Sequence, residues 1–428
     1  MDTFVKGLHT FSPKAGITVI VHERKGSGVV DVFAGLKGGM WDKAASNPAL
    51  PYLFSEVLEE GTETMNRDDI RGIIENVGSD LSFDLLGEYT VGKLRSTTQG
   101  FEKSFRVFAD ILTKPTFPEE SVVITKKRLM NECREEEEDT KKRASALLAD
   151  HLFEKGSAHR TLSPQEQLEY LKEIDRPLLV DYAAEALLHP LIISIVGDVS
   201  ASTVEKMCTE AFKDRPSVSE SDFLLPTKAK EGETAQAFLT IPGKENVDVF
   251  FGNYTGVRVT DEEYVPLSVA IEMLGGSGFT GHLMQTVRER DGLTYGIYSR
   301  LKDVSGELPL YVFVWATFGN TLFEKGVTAM KNEMQAWLET GITEAALEKK
   351  KTEIIGSYVV SLEDPERVSF KLLATIGSKR SLDFLRTYPE AVSRLSLAEV
   401  KEVAQKYLNP DHFKLAAAGS IDKNGNPL

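Results

Sequence analysis

The stretch LGGSGFTGHLMQTVRERDGLTYGIYSRL, Leu274 to Leu301, packs three backbone regimes into 28 residues. The glycine-rich run Gly275 to Gly281 reads as a turn opening a helix. The helix runs through Arg288, Gly292 breaks it, and the alternation from Thr294 onward reads as a strand. Arg288 and Tyr295 therefore stand on two elements either side of one break, so both could lie at one rim. Taken alone, the pair also fits a surface arginine at a helix end and a tyrosine on a half-buried strand. The glycine run could hold an anion at a helix start, but it lacks the Lys-Ser/Thr ending of a phosphate loop.

Working outward, FEKGVTAMKNEMQAWL begins at Phe323, and FEKSFRVFADIL begins at Phe101. The offset is 222 residues, and it recurs between Gly197 in HPLIISIVGDVS and Gly419 in NPDHFKLAAAGSID. Two anchors at one offset, within matching helix-then-strand patterns, point to an internal duplication. In the first half, 17–23 and 29–36 read as paired strands joined by a turn at Lys25–Gly28. Asn47 to Glu60 and Arg67 to Val77 read as helices, Leu81 to Thr97 as two strands, and Phe101 to Phe153 as mainly helical. The expected class is α+β, in two similar domains. Lys213 to Gln236, rich in Pro, Ser, Lys and Glu, reads as a linker, giving domains 1–215 and 237–428 around residues 216–236.

Composition narrows the function. Lys and Arg number 50 against 65 Asp and Glu, a net charge of −15 that argues against nucleic-acid binding and is mildly favourable toward cationic peptides. Two cysteines, Cys133 and Cys208, leave no disulfide framework and no cysteine metal site. The longest apolar run, 190–196, is too short to span a membrane. The N-terminal stretch lacks the apolar core of a signal peptide, which fits a cytoplasmic protein or a mature periplasmic one. No two of the seven histidines lie three or four residues apart, so no helical pair can grip one metal, and solvated or capping roles are expected of them. The acidic run Glu135 to Asp139 reads as a solvated helix face.

At Leu50 to Thr62, LPYLFSEVLEEGT, the chain resembles the pitrilysin/insulinase superfamily of zinc peptidases, the inverzincins, whose mark is H-x-x-E-H. Aligned on Gly61-Thr62, the resemblance puts Tyr52 and Glu56 at the two histidine positions and Ser55 at the general-base glutamate. The third ligand, a glutamate some 75 residues on, falls on Glu132. A tyrosine is a poor zinc ligand at neutral pH and a serine cannot take up the proton. The segment 274–301 is similar to the family's C-terminal signature, a helix ending R-E-x-x-G-L-x-Y, with Arg288 and Tyr295 in place.

The resemblance implies two homologous domains, each a mixed, mainly antiparallel sheet with helices packed on one face, together forming half of a clamshell chamber. It further implies a non-catalytic subunit, with no cofactor of its own, beside an H-x-x-E-H zinc peptidase subunit of similar size. Zinc is expected in that partner. Arg288 and Tyr295 would act in trans on peptide substrates, binding the backbone and the developing oxyanion. A structural scaffold subunit and a peptide-binding protein without proteolysis are the alternatives.

Overall fold

The computed structural model describes residues 7–39, 42, 45–218, 225, 227–230, 236–276, 278–302 and 306–428. Most of the expected linker, 219–224, 226 and 231–235, lies outside the described residues. The first sheet comprises β1 (Leu8–Phe11), β2 (Ile17–Glu23), β3 (Val29–Lys37), β4 (Asp80–Leu86), β5 (Tyr89–Thr97) and β6 (Leu191–Gly197), in the order β1-β2-β6-β3-β5-β4. The second comprises β7 (Gln236–Thr240), β8 (Asn246–Tyr254), β9 (Thr294–Lys302), β10 (Tyr311–Gly319) and β11 (Lys414–Gly419), in the order β7-β11-β8-β10-β9. With β1 set aside, the two orders are the same. Each has one parallel pair, β2 with β6 and β7 with β11, and is otherwise antiparallel.

Gly197 and Gly419 end the corresponding strands β6 and β11. A Cβ at Gly197 would stand 2.2 Å from the Val29 carbonyl oxygen, and one at Gly419 2.7 Å from that of Asn246. Only glycine admits so close an approach of the neighbouring strand. One expectation needs correction: β2 and β3 do not pair with each other. β6, from far along the chain, lies between them, parallel to β2 and antiparallel to β3.

The helices of the first half are α1 (Leu50–Val57), α2 (Arg67–Asn76), α3 (Phe101–Ile111), α4 (Glu119–Glu136), α5 (Thr140–Leu152), α6 (Pro164–Glu173), α7 (Arg176–Ala186) and α8 (Ala201–Ala211). Those of the second are α9 (Tyr264–Ile271), α10 (Phe323–Ala336), α11 (Glu344–Ser361), α12 (Pro365–Gly377), α13 (Phe384–Arg394) and α14 (Leu397–Tyr407). Alternate residues of each sheet face helices of its own half. Val19, Val21, Val32 and Ile195 pack with Phe54, Phe105 and Phe108, and Val249, Val314 and Leu415 pack with Met330, Val400 and Ala404. The intervening residues face a helix from the other half. α5 sets Ala144, Leu148 and Leu152 against Phe250, Tyr311, Ala416 and Ala418 of the second sheet. α12 sets Val368 and Leu372 against Ile20 and Val196, and Leu373 against Phe33, Tyr89 and Val91, of the first.

Three histidines depart from the expected solvated or capping roles. His22, His159 and His189 are buried; the His159 ring lies 4.5 Å from that of Phe153, and His189 Nδ1 is 2.6 Å from the Lys37 carbonyl oxygen. No helix among the described residues is long and apolar enough to cross a membrane.

Candidate functional site

Tyr52 and Glu56 are one helical turn apart on α1, on a common face. α1 carries Pro51 in its first turn, where the missing N–H leaves no bond unmade, and sinks Leu50, Leu53, Phe54 and Val57 into the core. Ser55, only 2 % exposed, donates its hydroxyl to the Tyr52 carbonyl at 2.9 Å, so it is tied to its own helix. Burial, with Glu56 and Glu132 adding to it, pushes the Tyr52 phenol above its ordinary value, so it stays protonated.

Arg128, on the facing helix α4, decides what this place can do. Its guanidinium donates to Glu56 Oε2 at 2.5 Å and to Glu132 Oε1 at 2.7 Å. Glu56 and Glu132 are thus brought together as the resemblance implies, but a fixed positive charge of the protein joins them. Zinc requires about three protein donors with open lone pairs. Here one donor is a protonated phenol and both carboxylates are engaged by an arginine. The residues do not fit zinc, and among the described residues no group of three or more His, Cys, Asp or Glu is placed to hold a metal. Sequence reading missed Arg128. Its i,i+4 spacing to Glu132 was visible, whereas Glu56 lies 72 residues away.

Arg288 and Tyr295 occupy the other candidate place, in the second half. The helix expected before Gly292 is π-helical, Glu272–Gly276 and Met284–Arg290, with a 3-10 turn at Gly278–Thr280 between. π-helical turns are rare and concentrate at functional sites. Gly292, at φ +63, then turns the chain into β9, an edge strand of the sheet. Thr294 pairs with Phe318 and Gly296 with Thr317, so Tyr295 between them is the extra residue of a β-bulge. Its side chain is 89 % exposed. The Thr294 hydroxyl braces the bulge, lying 2.5 Å from the Thr317 carbonyl oxygen and accepting the Gly296 N–H at 3.1 Å. Arg288 is half-buried, with its guanidinium 5.1 Å from the centre of the Phe279 ring and Nη1 3.7 Å from Met284 Sδ. Among the described residues it has no ion-pair partner, which leaves most of its donors for another molecule.

The sequence matches the profile of the insulinase family, peptidase family M16, over residues 44–165 and that of the peptidase M16 inactive domain over residues 191–354. The chain belongs to the insulinase (M16) family. It is similar to the non-peptidase homolog YmxG of Helicobacter pylori, 22 % identical over 398 residues that cover 90 % of this chain and 88 % of that one. It is also similar to the beta subunit of the mitochondrial-processing peptidase of Lentinula edodes, 21 % identical over 436 residues, covering 95 % and 89 %. Among solved structures, a peptidase M16 inactive domain from Pseudomonas fluorescens shares the fold, with a TM-score of 0.83, 22 % identity and coverage of 96 % and 98 %. This M16 chain thus has the family's frame, with Arg128 joining Glu56 to Glu132.

Proposed function

We propose that this chain is the non-catalytic, substrate-binding subunit of a heterodimeric zinc peptidase and lends Arg288 and Tyr295 to the active site of an H-x-x-E-H partner of similar size. In this reading the repeats, 1–215 and 237–428 with 216–236 between them, form half of a closed chamber. The observation that carries it is Tyr295, lifted out of the sheet on an edge-strand bulge and 89 % exposed. A phenol held that way serves no packing purpose, while a directed O–H donor aimed outward suits a tetrahedral oxyanion. Arg288, braced by Phe279, supplies a permanent charge for a peptide carbonyl. The name of the Lentinula relative, a subunit, supports assembly with a second chain. Hydrolysis would belong to the partner; this chain would bind and orient the peptide.

The test uses the complex with the H-x-x-E-H chain encoded nearest to this one. Tyr295→Phe removes one hydroxyl and should lower kcat by about a hundred- to a thousandfold with little change in KM. Arg288→Ala should raise KM as well, and Arg288→Lys should rescue poorly, because a point charge does not reproduce the planar fork. Wild-type turnover in correctly assembled mutant complexes would reject the role of the pair. Failure to associate at micromolar concentration would reject the subunit reading and favour a scaffold or a free-standing peptide binder.

A further inference from the structure

A cavity of about 220 Å³ lies among α9, α11, α12 and α13, apart from both places described above. Its walls carry four aromatic rings, Tyr264, Tyr358, Phe384 and Tyr388, and two cations, Lys371 and Arg380. No carboxylate lines it. The Lys371 ammonium stands 5.0 Å from the centre of the Tyr358 ring. The Arg380 guanidinium lies 4.2 Å from the Tyr264 ring and 4.0 Å from that of Phe384, and its Nε donates to the Val259 carbonyl at 2.8 Å. Lys379, at φ +59, turns the chain out of α12 and delivers Arg380 to this position. Among the described residues neither cation has an ion-pair partner.

We infer that this cavity is a binding site for a small organic carboxylate with a flat or short apolar tail. Two half-buried cations lining one cavity without a counter-charge are costly to keep, and an anion bound there offsets that cost. Burial accordingly lowers both side chains from their ordinary values. The Tyr358 and Tyr388 rings, 4.9 Å apart, and Phe384, 5.5 Å from Tyr388, form an apolar wall that a bare inorganic anion would leave unused. A volume of 220 Å³ is below the roughly 300 Å³ at which sites for drug-sized ligands begin, so a small group fits it best. The carboxylate could be that of a free acid or the C-terminus of a peptide, which share this chemistry.

Calorimetric titration of the full chain with benzoate, inorganic phosphate, and one aromatic-ended tripeptide as free acid and as C-terminal amide separates the possibilities. The expected result is saturable 1:1 binding of benzoate or of the free-acid peptide with a Kd of about 1 mM or tighter, and none of the amide. Benzoate alone points to a free acid; the peptide acid points to chain termini. Lys371→Gln should weaken binding at least tenfold. Arg380→Gln should do the same, and circular dichroism checks that this variant, which also loses the Val259 contact, stays folded. The inference is overturned if no carboxylate saturates the chain, if phosphate binds as well as they do, or if folded Lys371→Gln binds them unchanged.

Discussion

Replacing Tyr52 and Glu56 by histidine reinstates the two missing ligand types on α1, yet the variant should hold zinc only weakly, because Arg128 remains. The guanidinium would keep its 2.7 Å bond to Glu132. Side chains here are 48 % and 39 % exposed, so that pair is worth only about 0.5 kcal/mol. Charge matters more. Two unit charges 4 Å apart interact by about 1 kcal/mol in water, so a dication facing the guanidinium meets at least about 2 kcal/mol of repulsion. Together these come to roughly 2.5–3 kcal/mol, or about a hundredfold in Kd. Adding Arg128→Ala to the double variant should therefore tighten zinc binding by that factor. Competition against a chromophoric chelator measures both constants, with circular dichroism to confirm folding. If the double variant binds zinc as tightly as the triple, the guanidinium is not what closes this place to metal, and the reasoning fails.

Two further expectations concern the frame. Gly197→Ala puts a methyl group 2.2 Å from the Val29 oxygen, which only strand separation can relieve, so it should destabilise by about 3 kcal/mol or more in thermal or denaturant unfolding; a wild-type melting point would refute the close-approach argument. Burial raises the Asp31 carboxyl from 3.8 to about 6, Arg95 opposing and Glu366 adding to the rise, and neither carboxylate oxygen has a hydrogen-bond partner among the described residues. The folded chain then binds this proton more tightly than the unfolded one, so Asp31 lowers stability as pH rises from about 4 to 6. Asp31→Asn should be nearly neutral at pH 4 and stabilising by about 2 kcal/mol at pH 8, read as the difference between the two proteins' unfolding free energies across that range.

Much of the frame was legible because it is written in local constraints. Gly197 and Gly419 announce the duplication since a neighbouring strand tolerates no Cβ there, and the helices at α1 and α2 follow from apolar spacing, with Pro48 near the start of the first and Gly61 beyond its end. The insertion of β6 between β2 and β3 was not legible, because alternation identifies strands without naming their neighbours. Nor was the partner of α5: Leu148 and Leu152 declare a buried face but not which sheet covers it. For the candidate sites, the resemblance pointed to Tyr52, Glu56, Glu132, Arg288 and Tyr295. The guanidinium between two of them depends on a contact across 72 residues that no spacing rule carries. The bulge at Tyr295 was hidden for a related reason: its extra residue is defined only against Thr317 and Phe318 of the next strand.

The exchange of α5 and α12 bears on how the chain can move and where it came from. Severed between its halves, the molecule would leave Ile20, Val196 and Phe33 bare on one fragment and Phe250 and Ala416 bare on the other, each fragment carrying the plug for its sibling. The halves are therefore not jaws that swing about the segment joining them. The same reciprocity is what remains when two copies of one ancestral unit, each lending a helix to its twin, are joined end to end. On that view a symmetric handshake between identical molecules became internal, and the two copies were then free to diverge, one carrying an arginine between two carboxylates and the other an outward tyrosine.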